Sequence, residues 1–157
     1  MKALLILVLL TSLGAVPAFA ATVAPNVVIH SGKGQFDEVK ERAVMAIENR
    51  GMVLNYTSHV GDMLERTGKD LGRTRRLYTH AEVIEFCSAS LSRDTMEADA
   101  HNIVFCPYTI AIYALPGEPG KVYLSYRKPV ASGSGQSAKA LAAVEKLLEA
   151  IVREALK

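Results

Sequence analysis

The chain has 157 residues, 18 Lys and Arg against 16 Asp and Glu, a formal net charge of +2, 50% hydrophobic residues and 2 cysteines. Near-neutrality excludes a general nucleic-acid or membrane-surface binder, since both draw on a strong basic field. The length fits a single domain that buries a core without obligatory staples, and so few cysteines exclude a disulfide-dense scaffold.

The opening "MKALLILVLLTSLGAVPAFAATVAP" places Lys2 before an uncharged run from Ala3 to Leu10, then small residues ending in Ala18-Phe19-Ala20. This is the layout of a secretory signal peptide. Cleavage is expected after Ala20, because one residue later bulky Phe19 would occupy a position that prefers a small side chain. The apolar run is short of the roughly 20 residues that cross a bilayer. The expected organisation is a signal peptide over 1–20, a short extension over 21–25 and one domain over 26–157, periplasmic or secreted, with no membrane span after cleavage. An oxidising compartment permits a disulfide.

"NVVIHS" (Asn26 to Ser31) predicts a β-branched strand that stops at "SGKG". In "FDEVKERAVMAIENRG", Phe36, Val39, Ala43 and Ile47 recur at helical spacing, Asp37 and Glu38 suit the positive end of the dipole, and Gly51 supplies the stop. A strand from Met52 to Val60 follows, then a short helix and loop bounded by Gly61 and Gly72. Val83, Ile84 and Phe86 predict a strand reaching Cys87, and "SASLSRDTMEADA" a short helix capped by Ser88 or Ser90. "NIVFCPYTIAIYAL" reads as a strand covered on both sides or interrupted at Pro107. "PGEPG" turns it into "KVYLSYRKP", where Val122, Leu124 and Tyr126 alternate with Tyr123, Ser125 and Arg127. "ASGSGQ" is a connector, and a long amphipathic helix behind Ser137 carries Leu141, Val144, Leu148 and Ile151 on one stripe. The order strand, helix, several mainly antiparallel strands, helix predicts an α+β fold: a curved sheet with helices packed on one face. Tyr123 and Tyr126 lie on opposite faces of one strand, so a homodimer is expected to cover the second face.

Taken together, "FDEVKERAVMAIENRGMVLNYTSHVG", "EFCSASL" and "CPYTIAIYALPGEPGKVYLSYRKP" resemble the domain-of-unknown-function 302 family over roughly residues 26–129. The resemblance implies a fold like that of the TATA-box-binding protein, and self-association. It brings no catalytic residue, because the family has no established reaction. This chain departs from the pattern at Ala100-His101, where Asp99 would be followed by Pro.

The resemblance also implies antiparallel pairing of the strand ending at Cys87 with the one near Cys106, which brings both sulfurs to one rim; a parallel crossover would put them at opposite ends, beyond the roughly 7 Å reach of a disulfide. Three readings stay open for Cys87 and Cys106: a disulfide, two buried inert thiols, or a reactive or ligating pair. The chain has no C-x-x-C, no C-x-x-C-H for attached haem and no G-x-S-x-G. A metal or haem site would use Cys87, Cys106 and His101, although the four histidines are scattered. Gly32, Lys33 and Gly34 make a candidate anion-binding turn, and Arg73, Arg75 and Arg76 a basic cluster suited to an acidic ligand. Glu82 and Glu85 are three apart in a strand and face opposite sides, which removes a carboxylate pair. The expectation is an exported binding or assembly domain that recognises a small ligand, a metal or an envelope protein, with no nucleic acid; the alternative is a thiol-redox or metal- or haem-dependent accessory protein built on the cysteines. No cofactor is named by the residues.

Overall fold

The structure is a computed structural model and describes residues 25–130 and 133–157. The signal peptide and its cleavage position lie outside the described residues. Strands β1 (Val27–Lys33), β2 (Val53–Ser58), β3 (His80–Cys87), β4 (Tyr108–Ala114) and β5 (Lys121–Arg127) form one open sheet, antiparallel at every pairing, in the order β1-β5-β4-β3-β2. Helix α1 (Phe36–Glu48) links β1 to β2, and α2 (Val60–Asp70) links β2 to β3. Helix α3 (Ala89–Ala98) and a 3-10 turn (Ala100–Phe105) link β3 to β4, and α4 (Gly135–Ala155) closes the chain. The α+β architecture is as expected. Among the described residues no helix is long and apolar enough to cross a membrane.

Alternation along the strands sorts the side chains. Ile84 and Phe86 of β3, Tyr108, Ile110 and Ile112 of β4, and Val122, Leu124 and Tyr126 of β5 are buried on one face. They form one cluster with Val39, Ala43, Ala46 and Ile47 of α1 and Val144, Leu148, Ile151 and Val152 of α4. Each large aliphatic side chain so buried contributes roughly 1.5–3 kcal/mol. Helix α1 stops where Gly51 takes φ +72°, and its N–H donates to the Glu48 carbonyl at 2.8 Å. The opposite face exposes Ile29 and Tyr56, and Tyr113 stacks on Tyr123 there with centroids 5.1 Å apart.

Four boundaries differ from the sequence expectation, the first being the strand expected over Met52 to Val60, which ends at Ser58 so that Val60 opens α2. Strand β1 runs on through Gly32 and Lys33, opposite Val122 and Lys121, so neighbouring β5 overrides the turn signal of the glycines. The apolar run at residues 102–114 is strand only from Tyr108. Asn102 to Phe105 belong to the 3-10 turn, because the Asp99 carboxylate accepts from the His101 N–H at 2.9 Å and the Cys106 N–H donates to Ile103. Helix α4 begins behind Ser134, whose hydroxyl accepts from the Ser137 N–H at 3.2 Å, while Ser137, the expected cap, is buried in the first turn.

Candidate functional site

Cys87 ends β3, and its neighbour Phe86 faces Tyr108 at the start of β4. The 18 residues between the cysteines must therefore leave the rim and come back to it. Ser88 starts the excursion by capping α3, accepting from the Leu91 N–H. Asn102 turns it back: its buried amide donates to the Thr95 carbonyl and to the Ser137 hydroxyl, each at 2.8 Å, and Ser137 returns a hydrogen bond to the Asn102 carbonyl oxygen. Cys106 follows, joined to Pro107 by a cis peptide bond.

This construction brings the two sulfurs to 3.1 Å, as free thiols. Cys87 Sγ accepts from the Asn55 side-chain amide at 3.6 Å, and the Ser92 hydroxyl lies 3.8 Å from Cys106 Sγ and 3.2 Å from the Tyr108 hydroxyl. Burial pushes the Cys87 thiol up from its ordinary value, and the hydrogen bond and charge of Cys106 push the same way, against weaker opposing pulls from Asn55 and the Tyr108 backbone. Burial also raises the Tyr108 phenol, with Ser92 pulling it down. The chain on either side also carries exposed apolar side chains: Ile103 is 63% and Val104 77% exposed, and exposed Val53 stands opposite Cys87 in the β2 register.

The other candidates disperse. His101 is exposed in the 3-10 turn, and among the described residues no three His, Cys, Asp or Glu side chains are grouped to hold a metal ion, so His101 does not complete a site with the sulfurs. His30 pairs with Glu149 at 2.9 Å, His59 with Glu82 at 3.3 Å, and His80 stacks on Phe36. Glu82 sits on the helix-covered face, 2.6 Å from Lys40, while Glu85 points to the other face, as their spacing predicts. Gly32 and Lys33 are strand residues rather than a turn, and the Gly34 N–H is taken by the Gly120 carbonyl at 3.0 Å, which leaves this segment without a nest of free amides. Arg76 is held by the carbonyls of Tyr78 and Thr79, each at 3.1 Å. Arg73 and Arg75 line a separate cleft beside α2. Sequence reasoning missed Asn102 and gave Ser137 only the role of a helix cap; the one available signal for Asn102 was a lone amide at the head of an apolar run.

A family model described as "Domain of unknown function DUF302" matches residues 27–155. The chain belongs to this family. Among solved structures, this DUF302 member is similar to the crystal structure of the uncharacterized conserved protein DUF302 from Bacillus stearothermophilus, at 16% identity and a TM-score of 0.69, over 85% of this chain and 100% of that one. At that identity the likeness speaks to fold. No curated protein matches the chain.

Proposed function

We propose that the protein is an exported binding module in which Cys87 and Cys106 form an oxidation-closable staple, rather than a thiol-exchange enzyme. The 3.1 Å separation of the sulfurs carries the reading, since a disulfide lies only about 1 Å further in. Closure removes a hydrogen from each thiol and forms one S–S bond. The two electrons and two protons pass to a disulfide oxidant such as oxidised glutathione, which leaves as two thiols. Exchange catalysts instead depress a thiol with a cation, a helix start or an adjacent base, of which Cys87 has the start of α3 behind Ser88. Here burial raises Cys87, and the sulfurs' side-chain hydrogen-bond partners among the described residues are Asn55, Ser92 and each other. The sequence supports export through residues 1–20, which would deliver the pair to an oxidising compartment.

Thiol titration under denaturing conditions, on protein isolated from the periplasm without reductant, tests this. The expected result is no free thiol and an intact mass lower by two hydrogens than after reduction. Two thiols that persist through incubation with oxidised glutathione would overturn it. Reduced folded protein that alkylates faster than free cysteine at neutral pH would favour the exchange enzyme.

A second reading, a homodimer formed through the open sheet face, is supported by exposed Ile29 and Tyr56 on the same face as the Tyr113 and Tyr123 stack. Light scattering of the mature chain checks it, and a strict monomer at high concentration removes it.

A further inference from the structure

The connection from β2 to β3 encloses a second feature, unrelated to the thiols. Helix α2 and the returning segment 71–78 border a cleft of about 660 Å³, within the range of roughly 300–1,000 Å³ typical of small-molecule sites. Gly68 makes the close approach that shapes it: a Cβ there would lie 2.8 Å from the Arg73 carbonyl oxygen, so any other residue would force the segment away from the helix. The Arg73 N–H donates to the Gly68 carbonyl at 2.7 Å across the same contact.

The lining combines two characters that seldom serve stability together. Leu64, Leu71 and Leu77 give it apolar walls, with Leu71 68% and Leu77 44% exposed, surface that folding leaves in water. Lys69, Arg73 and Arg75 are its cations, and Glu65 is its one carboxylate, 4.0 Å from Lys69. Among the described residues neither Arg73 nor Arg75 is ion-paired: the ion pairs formed lie at other basic residues. An arginine fork presents a fixed set of donors that matches a carboxylate. A ligand that satisfies both wall and cations has an apolar body and one anionic end.

We propose that this cleft binds an amphipathic organic carboxylate, its aliphatic tail on Leu64, Leu71 and Leu77 and its head on Arg73 and Arg75. Inorganic anions satisfy only the arginines, and neutral amphiphiles only the leucines, so neither fills the site alone. The cleft and the thiol pair stand on different connections, and binding is expected to be the same in oxidised and reduced protein.

Calorimetric titration of the mature chain with decanoate, decanol, acetate and anionic phosphatidylglycerol vesicles tests the proposal, with amide NMR shifts to locate the ligand. Decanoate is expected to saturate one site and to bind at least about tenfold tighter than decanol or acetate. Its shifts should fall within residues 61–78. Arg73→Gln with Arg75→Gln, both exposed positions, should lower decanoate to the level of decanol while leaving decanol unchanged. Leu77→Asn should weaken decanoate and decanol alike. The proposal is overturned by equal binding of decanol, by equal binding of acetate, by shifts centred elsewhere, or by association with vesicles in the absence of any binding of free decanoate.

Discussion

Strand β3 is flanked by two helical connections of nearly equal length that are anchored in opposite ways. The one that follows it, α3 with its 3-10 turn, is tied into the molecule by buried Thr95 and Asn102, and the latter reaches across to Ser137 of α4. The one that precedes it, α2 with the segment behind it, contains no buried helical residue. The first connection uses the core to fix the positions of two atoms; the second stands off the core and leaves a recess. Local stability follows buried contacts, so the two connections are expected to open independently and with different free energies.

The largest test of this contrast is closure of the anchored connection by its own sulfurs. Oxidised protein should be about 3 kcal/mol more stable than reduced protein by denaturant unfolding, and Cys87→Ser should abolish the difference. Next comes the anchor itself: Asn102→Ala leaves the Ser137 hydroxyl and the Thr95 carbonyl without their partner and should cost about 2 kcal/mol, with slower closure of the thiol pair under a fixed glutathione ratio. If that substitution is silent, the anchored half of the comparison fails. In the unanchored connection, Leu64→Ala, half-buried, should cost less than about 1 kcal/mol in the same assay.

The smallest effect is expected in a control away from both connections. Burial pushes the Glu149 carboxyl up, but hydrogen bonds from Tyr126, His30 and Arg153 outweigh it and hold it below its ordinary value. A carboxyl depressed in the folded state adds stability above its unfolded pKa of about 4.3 and loses it as pH falls through the folded value. Glu149→Gln should therefore flatten the acid limb of the stability profile while leaving amide exchange in α2 and α3 unchanged.

Much of this fold is written locally. The 3.6-residue stripe of α1, with Gly51 behind it, and the alternation of Val122, Leu124 and Tyr126 in β5 each name their element and its buried face without help from distant residues. Ile103 and Val104 mislead for a physical reason. Their β-branched side chains favour a strand, yet their backbone is set by the Asp99 cap and by an Asn102 contact made 35 residues away in sequence. The rim shared by Cys87 and Cys106 follows from strand direction, whereas their spacing depends on where that turn returns the chain. The α2 cleft has no linear signature beyond its basic residues, because its walls meet only when Gly68 lets the segment fold back.

The irregularity in β2 bears on how copies of the chain can meet. This strand is one end of the sheet, and its register shifts between Leu54 and Tyr56, with Asn55 turned toward a sulfur of β3. A kinked outer ladder offers a poor template for another extended backbone, so growth of the ribbon from that side is discouraged and amyloid-like stacking is disfavoured.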